Sequence, residues 1–204
     1  PVIAENGAMI IGSLAMVLLA AYICYIVHAV LVYSAAVKTM GGISPIQFFK
    51  GMLPAIMFAF SSASSVGTLP INLECVEGLG ADREIASFVL PLGATINMDG
   101  TAIYQGVCAI FIASCYGINL TLSQMLTVIL TATLASIGTA GVPGAGMVML
   151  AMVLTSVGLP VDGIALVAGV DRIFDMGRTT VNITGDASCS IIVSNLERRR
   201  EAKL

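Results

Sequence analysis

Apolar residues run from Gly7 to Val37 with little polar interruption, and beyond that the pattern changes. As a helix this run offers about 30 residues, or about 45 Å, against a hydrocarbon core of about 30 Å, so it can span a bilayer with considerable tilt. The later stretches are shorter and are broken by small polar or glycine-rich sequence. One break is Phe60-Ser-Ser-Ala-Ser-Ser-Val-Gly-Thr-Leu-Pro70, and another is Ser136-Ile-Gly-Thr-Ala-Gly-Val-Pro-Gly-Ala-Gly146. Half-spans of about 15 residues on either side are too short to cross twice, so each unit predicts a re-entrant helical hairpin with its tip at membrane depth. The tips echo each other as Ser65-Val-Gly-Thr68 and Ser136-Ile-Gly-Thr139, each with a proline shortly after. Two interrupted segments in corresponding places point to a transporter core of inverted repeats. The elements expected are a long helix over 7–41, hairpins over 44–79 and 121–159, an interrupted helix over 82–117, and a final amphipathic helix over 162–196. The fold class is all-α.

A second polar lesion comes after each hairpin. Asn97-Met-Asp-Gly-Thr101 splits an apolar segment into two half-helices, and unwound backbone at that depth is tolerated only where it lines a protein-enclosed cavity. The other lesion is Asp171-Arg-Ile-Phe-Asp-Met-Gly-Arg-Thr-Thr-Val-Asn-Ile-Thr-Gly-Asp186. At 100° per residue, Asp171, Asp175, Arg178, Asn182 and Asp186 fall within about 80° of one helix face. Each charge at mid-bilayer costs about 2.5 to 3.5 kcal/mol, so the stripe must face a polar site or form a salt-bridge seam between helices. Arg172, just off the stripe, is expected to pair with an acidic group. Arg178 offers a fork for a carboxylate and Asp175 an anion for an ammonium, a combination that describes an acidic amino acid. The hairpin tips add free N–H groups and carbonyls for a carboxylate and a small cation.

Composition reinforces this reading. The 204 residues are 57% apolar with 21 glycines besides, only 10% are charged, and the mean hydropathy is +0.98. Soluble domains average about 25% charged residues, so a water-soluble enzyme and a disordered chain are both set aside, and a lipid bilayer is the expected surrounding. The net charge of −3 is unevenly placed, with no Asp, Glu, Lys, Arg or His from Thr101 to Val161, which leaves no nucleic-acid surface. The five cysteines lack any Cys-x-x-Cys pair and read as core residues, and the lone His28 reads as a helix-packing residue. The serine run lacks the Gly-x-Ser-x-Gly turn of a hydrolase, and the glycines between 138 and 146 fit no phosphate-binding loop. A signal peptide is not expected, because the first run is too long and comes after Glu5. The start at Pro1 reads as a piece of something longer. The basic tail Glu197-Arg-Arg-Arg-Glu-Ala-Lys203 places the C-terminus in the cytoplasm.

Asn97-Met-Asp-Gly-Thr101, the Ser136 to Gly146 tip and Asp175-Met-Gly-Arg-Thr-Thr-Val-Asn-Ile-Thr-Gly-Asp186 resemble the sodium/dicarboxylate symporter family, the glutamate and aspartate transporters. The resemblance covers essentially the whole chain and implies the C-terminal, substrate-carrying half of that fold, in the plasma (inner) membrane. It implies no enzyme. By resemblance, Arg178 holds the substrate's side-chain carboxylate with help from Thr101, Asp175 and Thr179 hold its amino group, and Asn182 its α-carboxylate. Backbone groups at Ser65 and Val142 close the pocket. The coupling ion implied is Na+. One site would use carbonyls of Gly93, Asn97 and Asn182 with the Asp186 carboxylate, and a second carbonyls of Thr95, Ser136, Ile137 and Thr139. A third would involve Asn97 and Asp99 with an earlier helix that this sequence lacks. The family also implies a homotrimer built through an N-terminal scaffold half absent here. Two departures stand out: Val66 replaces the third serine of the first tip, and Ala63 and Met176 occupy positions where many relatives carry an arginine. They bear more on the coupling ion than on the substrate class. The alternatives are a proton-coupled glutamate or C4-dicarboxylate symporter, and a truncated, non-transporting binding module.

Overall fold

The computed structural model describes residues 2–203, with side chains from 12 onward; Pro1 lies outside the described residues. All regular structure among them is helical. Helix α1 (Val2–His28) continues through two π-helical turns, Ala29–Tyr33 and Val37–Gly41, and stops at Gly42, whose left-handed φ of 72° ends it. Helices α2 (Pro45–Ser62) and α3 (Ser65–Gly78) pack against each other around a two-residue turn. Ser44 caps α2 by accepting from the Gln47 N–H with Pro45 in the first turn, and Ser64 caps α3 from Gly67 N–H. Helices α4 (Arg83–Ile96) and α5 (Asp99–Cys115) are separated only by Asn97 and Met98. Helix α6 (Leu122–Ser136) starts on a capping box between Thr121 and Gln124 and packs against α7 (Ala145–Ser156).

The last segment departs from expectation. A single helix over 162–196 is not what forms. A 3-10 turn (Val161–Gly163) leads into the short α8 (Ile164–Ala168), the chain breaks at Gly169 and Val170, and α9 runs Asp171–Glu201. The apolar composition of 164–168 matches that of a longer helix, so composition alone hides the break. At the far end three arginines in the last turn favour continuation, because cations suit the negative end of the helix dipole.

Helix α9 is the centre of the molecule, packed by α1, α2, α3, α4 and α5. Its buried face is largely polar, while large apolar side chains such as Met16, Leu19, Leu31, Leu126 and Ile129 point outward. That inside-out distribution suits a chain whose outer solvent is lipid.

Candidate functional site

Asp171, Asp175, Arg178, Asn182 and Asp186 are all buried on α9. The start of α5 lies directly against them. Gly100 makes this possible, since a Cβ there would collide with the backbone of Arg178. Its N–H donates to Asn182 Oδ1 at 2.8 Å, and Asn182 Nδ2 donates to Thr101 Oγ1 at 3.2 Å. Tyr104, a turn further along α5, donates to Asp171 Oδ1 at 2.7 Å.

Two chain turns close on this face. The first, at Ala63 and Ser64, and the second, over 137–144, meet at the Gly141 carbonyl, which accepts from Ser64 Oγ at 3.1 Å and from Val66 N–H at 3.2 Å. The second turn is held to α9 by Gly144 N–H donating to Asp175 Oδ2 at 2.7 Å, and to α4 by Gly138 N–H donating to the Thr95 carbonyl at 2.9 Å. The Arg178 guanidinium passes over Gly146, where any side chain would overlap it.

Six of the residues expected to hold substrate, Ser65, Thr101, Val142, Arg178, Thr179 and Asn182, line one small cavity with Met98, Ala140 and Gly141. Asp175 stands beside it as the ion-pair partner of Arg178. The guanidinium also lies over the Tyr104 ring, 5.4 Å from its centroid, and its Nη1 has no hydrogen-bond partner among the described residues. The cavity measures about 10 Å³, room for about one water. A larger cavity of about 570 Å³ between α1 and α5 is lined without a charged side chain and lies apart from the stripe.

The expected ion ligands fall into three groups. Asp186 Oδ1 accepts from Asn97 Nδ2 at 2.9 Å, the same amide donates to the Asn182 carbonyl at 3.2 Å, and Gly93 packs against the Asp186 side chain. Asp186 Oδ2 is buried with no hydrogen-bond partner among the described residues. Among the described residues no group of three or more His, Cys, Asp or Glu converges on one point, so a cation here would rest on one carboxylate plus carbonyls. That donor set suits a hard cation. In the second group, Thr95 meets the 137–144 turn, but the Thr95 and Ser136 carbonyls accept N–H bonds from Gly138 and Thr139. In the third, Asp99 faces α1: Oδ2 accepts from Tyr33 OH at 2.9 Å and lies 3.0 Å from His28 Nε2.

Two expectations need correcting. His28 does more than pack, and Tyr33, which the apolar pattern does not single out, joins it. The π turn explains both, because its i→i+5 repeat sets positions 28 and 33 above each other, with ring centroids 5.0 Å apart. An aromatic five residues after a histidine is the available signal. Arg172 pairs with no acidic group among the described residues; its Nη2 donates to the carbonyls of Ser61 and Ser62.

Comparison with known proteins identifies the family. The chain is 45% identical over 195 residues to Excitatory amino acid transporter 1 of Rattus norvegicus, covering 95% of this chain and 36% of that protein. It is 52% identical over 151 residues to an Excitatory amino acid transporter of Caenorhabditis elegans, covering 74% and 30%. To Excitatory amino acid transporter 2 of Mus musculus it is 50% identical over 156 residues, covering 76% and 27%. The chain thus spans about a third of the length of these relatives, whose names are those of transporters. With residues 1–196 matching the family model described as Sodium:dicarboxylate symporter family, the chain belongs to that family.

Proposed function

We propose that this chain is the substrate-carrying part of a secondary active transporter that moves aspartate or glutamate together with sodium. The observation that carries the reading is the buried Asp175–Arg178 pair where the two chain turns meet. A buried pair neutralises its own charge, and a zwitterionic acid with a second carboxylate can take over both halves. The substrate's side-chain carboxylate receives the Arg178 fork and Thr101, its ammonium Asp175 and Thr179, and its α-carboxylate Asn182 and the N–H groups near Ser65 and Val142. The partnerless Asp186 Oδ2 supports a cation beside the carbonyls of Gly93, Asn97 and Asn182. Carbonyls of Thr95, Ser136, Ile137 and Thr139 form a second sodium site once released from their N–H donors. Asn97 and Asp99 contribute to a third.

In this reading α2–α3 and α6–α7 are re-entrant hairpins of an inverted repeat. The family's scaffold half assembles the protein as a homotrimer, and the basic tail faces the cytoplasm. A cysteine introduced at Lys203 should therefore resist membrane-impermeant reagents applied outside intact cells; labelling from outside would reverse the topology.

The deciding measurement is calorimetric titration of the detergent-solubilised protein with aspartate, glutamate and succinate, first in sodium and then in choline. Heat from the amino acids only in sodium is expected. Equal binding of succinate would favour a dicarboxylate, which has no ammonium for Asp175. No sodium dependence would remove the coupling assignment.

A further inference from the structure

Arg172 opens the first turn of α9 and sends its guanidinium away from the acidic face. Nη2 bridges the carbonyls of Ser61 and Ser62, each at 3.1 Å. These are the last two carbonyls of α2, at a helix end that leaves four acceptors without intrahelical donors and carries partial negative charge. A guanidinium is suited to that end on both counts.

The turn just past Ser62 makes the contact consequential. Ala63 reverses the chain with φ 53°, a non-glycine residue in the left-handed region, which carries a conformational cost unless the surroundings hold it. Ser64 then reaches the Gly141 carbonyl, and Ser65 lines the small cavity. The turn is thus fixed before Ala63 by Arg172 and after it by Ser64. The second turn is tethered to α9 differently, through Gly144 N–H on Asp175. Its tether shares a carboxylate with the proposed ammonium contact, whereas that of the first turn uses a cation with no other polar contact among the described residues.

We infer that Arg172 is a positioning residue, a latch that holds the end of α2 on α9 and keeps the first turn in place as the fixed wall of the cavity. The inference rests on the cavity being the substrate site, but the latch itself does not depend on which substrate enters.

The test uses the full-length transporter in a cysteine-free background, reconstituted in liposomes. Ala63→Cys places a thiol at the turn, where the native side chain is buried. Arg172→Met should raise the modification rate of that thiol by a charged methanethiosulfonate about tenfold, as expected for losing hydrogen bonds from a charged donor. It should also raise the KM for aspartate by a similar factor while the maximal rate stays within about twofold, because the residue orders the empty site and does not touch substrate. Arg172→Lys, which keeps the charge and three donors, should recover most of both effects. Should Arg172→Met fail to fold, Arg172→Gln, polar but too short to bridge both carbonyls, carries the same arms. Thiol modification at the parent's rate in the Met or Gln variant would overturn the latch. Faster modification in a protein that takes up no aspartate would keep the latch and discard the substrate reading.

Discussion

Arg178 is buried, paired with Asp175, and left with one guanidinium nitrogen unpartnered among the described residues. Replacing it by cysteine removes the fork for a side-chain carboxylate and leaves Asp175 for an ammonium. Arg178→Cys should therefore lose about 3 kcal/mol, roughly a hundredfold, in aspartate affinity while serine gains relative standing. Competition of serine against labelled aspartate reads this directly, and unchanged preference for aspartate would remove Arg178 from selectivity. Asp186 calls for a different test. Its Oδ2 faces no donor among the described residues, and the proposed cation would compensate that charge. Asp186→Asn keeps the shape, so sodium affinity should fall steeply, aspartate affinity should fall with it at fixed sodium, and saturating sodium should restore much of the latter. Sodium dependence identical to the parent would sink the assignment. These residues are legible in the sequence because charge is costly at membrane depth and their spacing leaves a single face for them. His28 and Tyr33 are not, because an α-helical count sets positions five apart on different sides and only the π turn aligns them.

Among the helices, the contact between α5 and α9 decides whether the face is assembled at all. Gly100 sits where the two backbones meet, so Gly100→Ala must push α5 away from Arg178 and weaken the bonds that Asn182 makes to the Gly100 N–H and Thr101. Overpacking of this kind costs about 1 to 3 kcal/mol, and thermal unfolding of the solubilised protein should show a lower midpoint together with weaker aspartate binding. Gly106→Ala is the matched control, for it lies on the same helix facing open space and should leave both unchanged. Equal effects of the two substitutions would mean that backbone approach at Gly100 is unimportant. The helical class is legible from apolar runs of spanning and half-spanning length broken by small polar sequence. Helix ends at Ser62, Ile96 and Ser136 fall where small polar and glycine residues interrupt apolar sequence. The break at Gly169 and Val170 is harder to read, since an apolar segment against lipid looks alike whether it is one helix or two. The partner of Arg172 is hidden for a related reason: a helix end, unlike an aspartate, does not announce itself as a partner in sequence.

Across the whole molecule, the two chain turns meet through residues 77 apart in sequence and enclose a cavity of about 10 Å³. An amino acid is several times larger than the single water this volume holds, so entry requires the turns to part. The hydrogen bonds that hold the turns closed are few: the Ser64 and Val66 bonds to the Gly141 carbonyl, and the Gly144 bond to Asp175 and Gly138 bond to Thr95 that tether the second turn. None is an apolar core contact, so separating the turns leaves the packing around α9 intact. A covalent link across the same gap should therefore lock the site without unfolding it. A Cβ at Gly141 would lie 3.1 Å from Ser65 Cβ, inside the usual disulfide separation of about 3.8 Å, and 2.9 Å from the Ala94 carbonyl oxygen, so the second turn must move outward from both for the bond to form. In a cysteine-free background, Ser65→Cys with Gly141→Cys should bind aspartate when reduced, lose binding when oxidised, and regain it after dithiothreitol. Each single variant should be indifferent to oxidant. Full aspartate binding by the quantitatively cross-linked protein would show that substrate reaches Arg178 without the turns separating.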